Sequence, residues 1–230
     1  RANGLKPHLI KTFKVSNDPR FVEKLTDVVG LYLNPPDNAL VLCVDEKSRI
    51  QALDRTQKSL PLKQGRCGTM THDYVRNGTT TLFAALNVLM GTVISACMPR
   101  HRHQEYLKFL RQIDRETPAH LDLHLIVDNY ATHKHPTVER WLRRHPRFHV
   151  HFIPTSSSWL NLVERWFREL TDKRIRRGTF TSVPKLIAAI QAYIDGHNRN
   201  PKAFVWTAPV QAILVKVRRA RAVLDNVPSA

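Results

Sequence analysis

Hydrophobic and polar positions fall into blocks whose periods predict an ordered set of elements. Phe21, Leu25, Val28, Val29 and Tyr32 recur at helical spacing, and Asp18-Pro19 predicts a helix start with the proline at its first position. Asn34-Pro-Pro-Asp ends that helix, and Ala39 to Val44 is an unbroken apolar run of strand length. Residues 47 to 80 are polar and contain Gly65, Gly68 and Gly78, as a long excursion or loose hairpin would. Thr81 to Val88 and Thr92 to Met98 follow as strands, joined around Met90-Gly91. Tyr106, Phe109, Leu110 and Ile113 then fall at i, i+3, i+4 and i+7, which predicts a helix over 103–116.

The second half alternates more quickly. Leu121 to Val127 is a strand, Val138, Trp141 and Leu142 mark a short helix from Pro136, and Phe148, Val150 and Phe152 alternate with His149 and His151 as in a half-exposed strand. Pro154 and three serines break the chain. Leu162, Val163, Trp166, Phe167 and Leu170 define a helical stripe, Leu186, Ile187, Ile190 and Ile194 another behind Thr181 or Ser182, and a last helix runs from Pro209 to Leu224. Three strands, a helix, a strand, a helix, a strand and then helices match the α/β ribonuclease H-like fold: a mixed sheet of antiparallel strands followed by parallel ones, flanked by helices. In that sheet the first and fourth strands are neighbours.

Against this pattern, three acidic residues stand out. Asp45 and Asp128 each end a buried strand, and Glu164 sits in the first turn of an amphipathic helix. Carboxylates are costly to desolvate unless paired or metal-bound, so three of them converging point to a divalent-cation site. Each also has a plainer reading. VDEKS at 44–48 is compatible with a turn, Asp128-Asn129 with an Asx-turn, and Asn161-x-x-Glu164 has the spacing of a capping box. Asn129, His133 and Asn161 lie near enough in sequence to support a carboxylate or a phosphate through hydrogen bonds.

Composition adds a substrate class. With 36 Lys and Arg against 19 Asp and Glu, the 230-residue chain carries a formal charge of +17, which favours a polyanionic partner. Basic runs at 6–14, 140–147, 165–177 and 216–221 flank the acidic trio. The three cysteines, Cys43, Cys67 and Cys97, are odd in number and lack CxxC spacing, so neither a disulfide framework nor a zinc knuckle is expected. The histidine pairs at 101/103, 133/135 and 149/151 lie on unlike elements and do not form a zinc motif. No apolar stretch is long enough to span a bilayer, and no secretory signal opens the chain, so a reducing cytoplasm is the expected compartment.

Six ordered stretches carry a family resemblance: VDEKS (44–48), THDYVRNGTTTLFAALNV (71–88), PRHRHQEYLKFL (99–110), VDNYATHK (127–134), PTSSSWLNLVERWF (154–167) and FVWT (204–207). On these the chain resembles the catalytic domain of DDE transposases from the bacterial insertion-sequence branch related to mariner elements. Where the wider group reads YSPDLNPIE, this chain has TSSSWLNLVE; Asn161 and Glu164 keep the register. The resemblance implies cut-and-paste DNA transposition with Asp45, Asp128 and Glu164 as catalytic acids holding two Mg2+ or Mn2+ ions, Asp45 bridging them. It also implies double-stranded DNA as partner, a homodimer on DNA and a bacterial, nucleoid-associated location. The expected DNA contacts are Lys47, Arg49, Lys134, Trp159, Arg165, Arg168, Lys173 and Arg174, with Trp166 in the core. The expected organisation is a basic linker and helix at 1–37 after an absent DNA-binding module, a catalytic domain at 38–200, and a helical extension at 201–230. A nuclease without strand transfer and a non-catalytic DNA-binding remnant are the alternatives.

Overall fold

A computed structural model of the chain describes residues 14–57, 60, 64–65, 68–69 and 71–225. Cys67 and most of the basic run at 6–14 lie outside these residues. At the centre is one five-stranded sheet of β1 (Ala39–Arg55), β2 (Tyr74–Asn87), β3 (Val93–Met98), β4 (Asp122–Val127) and β5 (Phe148–Phe152), in the order β3-β2-β1-β4-β5. β1 pairs antiparallel with β2 and parallel with β4; β2–β3 is antiparallel and β4–β5 parallel. This is the mixed ribonuclease H-like sheet expected from the order of elements.

Helices α1 (Phe21–Leu33), α2 (His103–Glu116), α3 (Pro136–Leu142), α4 (Leu162–Leu170), α5 (Val183–Arg199) and α6 (Val210–Asp225) surround it. The period-2 geometry of β1 divides its side chains between two cores. Val41 and Cys43 face a cluster that includes α1, α4, α5 and α6, with Trp166 fully buried; Leu42 and Val44 face Tyr106, Phe109 and Ile113 of α2. Phe204, Ile213 and Leu214 belong to the first cluster, so the C-terminal helix shares its core with α1. Among the described residues no helix is long and apolar enough to cross a membrane.

Two expectations need adjustment. α1 begins at Phe21 rather than at Pro19, because Asp18 closes a turn first: its carboxylate accepts from the Arg20 N–H at 2.9 Å, and its carbonyl from that of Phe21 at 3.1 Å. Burial opposes charge on Asp18, but hydrogen bonds from Lys24, Thr155 and Arg20 outweigh it and hold the carboxyl well below its usual range. Second, both ends of the excursion at 47–80 continue the sheet as paired strands. β1 runs on to Arg55 and β2 starts at Tyr74, with register shifts at Lys47/Ile50 and Gln51/Leu53. The buried Ile50 and Ala52 supply the apolar face, and the Phe180 amide donates to Leu53 O at 2.7 Å, bracing the arm against the start of α5.

Candidate active site

Parallel register brings the two aspartates together. Cys43 pairs with Ile126, so two residues further on Asp45 stands beside Asp128 at the same end of adjacent strands. Strand parity puts Asp45 on the face of Val41 and Cys43, towards α4, and sends Glu46 to the opposite face, towards α2.

α4 delivers Glu164 to that face. Asn161, buried at 1% exposure, precedes the helix and donates its side-chain amide to Val44 O at 3.0 Å, which ties the helix start to the strand residue before Asp45. The capping box that the Asn161-Glu164 spacing allows is not formed at this helix start. The Glu164 side chain is thereby free to share a hydrogen bond with Asp45. Among the described residues the Asn161 Oδ1 has no partner.

The electrostatics follow from this crowding. Burial, with Glu46, Asp128 and Glu164 nearby, pushes the Asp45 carboxyl up to about 8. Glu164 is also raised, by burial and by Asp128, with Lys47 opposing. Asp128 goes the other way: burial raises it, but hydrogen bonds from His133 and from the Tyr130 amide, with the charges of His133 and Lys134, bring the net below the usual value. His133 Nδ1 lies 3.1 Å from Asp128 Oδ1 and its Nε2 3.3 Å from Glu46 Oε1, under the ring of Tyr106 at 4.5 Å. Burial disfavours the imidazolium there, but the two carboxylates prevail and raise His133 to about 10. The carboxylates have thus split into two pairings, Asp45 with Glu164 and Asp128 with His133. Among the described residues no three His, Cys, Asp or Glu side chains stand ready as a metal-ion cage.

A model of the DDE superfamily endonuclease family matches residues 40–187, which contain all three acids. The chain belongs to that family. Over 71 residues it is 35% identical to the "Insertion element IS630 uncharacterized 39 kDa protein" of Shigella sonnei; the stretch is 31% of this chain and only 21% of that relative. Among solved structures, the chain resembles the Mos1 strand transfer complex with TM-score 0.63 at 13% identity, covering 99% of this chain and 68% of that one. Its likeness to the Mos1 mariner paired end complex with Mn has TM-score 0.60 at 13% identity, covering 97% and 66%. For the catalytic domain of Mos1 mariner transposase the TM-score is 0.52 at 11% identity, covering 92% and 91%. At these identities the likeness establishes the fold.

In this DDE-family chain the other candidates divide by their partners. Asn129 donates to Ile153 O and accepts from Lys134 Nζ at 2.8 Å, so it ties the end of β4 to the chain after β5. Lys134 also lies 4.8 Å over the Phe152 ring. Arg168 lies 3.8 Å from Asp172, Lys173 2.5 Å from Glu169, and Arg174 5.9 Å over Phe180. Trp159, 48% exposed and stacked at 6.3 Å on Trp206, lines a groove of about 400 Å³ with Asn161, Glu164 and Arg165. Trp166 is core, as its place on the apolar stripe predicts. Cys43 and Cys97 are free thiols whose burial pushes both up to about 11. Sequence reading missed Glu46, whose link to His133 spans 87 residues; its only early signal is a second acid directly after Asp45.

Proposed function

We propose that this chain is the catalytic part of a DNA transposase that cuts and joins phosphodiesters, with Asp45, Asp128 and Glu164 holding two Mg2+ or Mn2+ ions. The observation that carries the reading is the convergence of these acids, Asp45 beside Asp128 through the parallel register and Glu164 brought to the same face by the Asn161 anchor, in a chain of net charge +17; their crowding also raises the Asp45 carboxyl. The donor set fits hard dications, since all three side chains offer oxygens and their repulsion is what divalent charge relieves. Bound there, the metals would supply electrostatic stabilisation to the attacking and leaving oxygens of an in-line displacement.

The chain's own residues prepare that geometry. Asp45 is fixed by the strand and Glu164 is aimed by the Asn161 anchor. His133 holds Asp128 ionised, the form in which it would take its place beside a dication. In the first step a water oxygen forms a bond to phosphorus and gives up a proton while the P–O3′ bond breaks and the departing 3′ oxygen is protonated; in the second, that 3′-hydroxyl gives up its proton and forms a bond to a target phosphorus while the target strand's own 3′ oxygen leaves and is protonated. Residues 38–200 would then be the catalytic domain, 1–37 a linker and 201–230 a helical extension, acting as a homodimer on double-stranded DNA in a bacterial cytoplasm at the nucleoid. Trp159 and Arg165, in the groove that reaches Glu164, are the DNA contacts best supported.

Asp128→Asn is the direct test. With Mg2+ or Mn2+ it should lose DNA cleavage while binding survives, and unchanged cleavage would refute the assignment. The wild-type product sorts the classes: joined DNA marks a transposase, nicks alone a nuclease, and salt-sensitive binding without turnover a non-catalytic remnant.

A further inference from the structure

Next to the carboxylates a cleft of about 520 Å³ is lined by three arginines, Arg49, Arg100 and Arg102, and three histidines, His101, His103 and His135, with no carboxylate on its wall. Four parts of the fold build it. The register shift after Lys47 carries Arg49, at φ 52°, out of the regular strand path, four residues beyond Asp45. β2 contributes Thr79 and Thr81, the segment into α2 contributes residues 99–103, and the chain after Asp128 contributes Tyr130 to Thr132. Arg102 is neutralised by Glu105 at 2.8 Å. Arg49 and Arg100 are exposed and, among the described residues, make no ion pair or side-chain hydrogen bond.

The cleft also presents flat π surfaces. His103 and His135 stack face to face, with centroids 3.6 Å apart and planes at 3°. Tyr130, 42% exposed, lies 6.0 Å from His101. Its backbone N–H donates to Asp128 Oδ1 at 2.9 Å, so the floor of the cleft is continuous with the catalytic carboxylates.

Unpaired guanidiniums, hydroxyls and open ring faces within one cleft match a ligand that alternates phosphates with planar bases. We propose that this cleft seats an unpaired nucleic-acid strand continuing past the scissile phosphate, its phosphodiesters on Arg49 and Arg100 and a base against Tyr130 or the histidine stack. The proposal rests on the transposase reading for its scissile phosphate, but its binding test does not.

Fluorescein-labelled dT12 is titrated into the full chain in EDTA at several salt concentrations, with binding read by anisotropy. R49A/R100A should weaken binding about tenfold or more and flatten the slope of log K against log salt by about 1.4, since each single-strand phosphate contributes about 0.7. R111A/R115A removes the same charge from exposed positions further along α2, outside the cleft, and should stay within about threefold of wild type. R49K/R100K keeps the charge and should recover both affinity and slope, which a folding defect would not allow. Equal losses in the two alanine pairs, failure of the lysine pair to recover, or no binding of dT12 by wild type overturns the proposal. Wild-type protein that binds dT12 through the cleft yet never cuts DNA with Mg2+ would sink the transposase reading and leave this site standing.

Discussion

Replacing Asp45 with Asn should make the protein more stable in alkaline solution while destroying the activity proposed for it. The Asp45 side chain is buried at 8% exposure and its carboxyl is raised from 3.8 to about 8. A raised carboxyl favours folding when protonated. Its contribution is therefore full below pH 3.8 and is lost as pH rises through about 8. At about 1.4 kcal/mol per unit, the span from pH 5 to pH 8 has a ceiling of about 4 kcal/mol. Relaxation of Glu164 and its shared proton reduces this, and about 2 kcal/mol is the working figure. Asn keeps the shape and removes the charge, so Asp45→Asn should gain about 2 kcal/mol on wild type between pH 5 and pH 9. Urea denaturation in EDTA across that range measures it. Saturating Mg2+ should stabilise wild type and reverse the ranking, because binding to the native state adds to stability by mass action. A variant less stable than wild type at pH 9 in EDTA, or a difference that does not move with pH, would refute the electrostatic picture.

Two further predictions come from the same structure. His133 is raised to about 10, so its imidazolium stabilises the fold fully below pH 6.5 and the contribution fades as pH rises through 10; His133→Gln should cost about 3 kcal/mol at pH 7 and remove that alkaline loss, as read by melts at pH 7 and pH 10. Trp166 fills the core behind α4, so Trp166→Ala should lower unfolding stability by about 3–5 kcal/mol in urea titration and, by loosening the helix that carries Glu164, reduce cleavage as well.

How much of this was legible in the sequence depended on how local the signal was. The span 103–116 reads as a helix because Tyr106, Phe109, Leu110 and Ile113 recur within two turns, and α2 occupies that span. Asp45 and Asp128 could be placed beside each other because the runs ahead of them are strand-length and the order of elements matches the ribonuclease H-like sheet, in which those strands are neighbours. The β1–β2 arm was hidden by its polar residues: among the described ones its buried apolar side chains are Ile50 and Ala52, and their support comes from the Phe180 segment some 130 residues away. The Asn161 anchor was concealed by a spacing that equally suits a capping box, and only the bond to Val44 O distinguishes the two. The cationic cleft draws on four separated segments, so no window of sequence contains it. Asp18-Pro19 signalled a helix start, but not that a turn would close first and put the first helical residue at Phe21.

On the proposed function, Asp45, Asp128 and Glu164 close around a pair of dications once their present pairings release. A crystal of the full chain soaked in Mn2+ and measured for anomalous scattering tests it most directly. Two peaks about 4 Å apart are expected, bounded by the three carboxylates, with Asp128 turned away from His133. Manganese bound elsewhere, or three carboxylates that stay in their separate pairings at saturating metal, would contradict it.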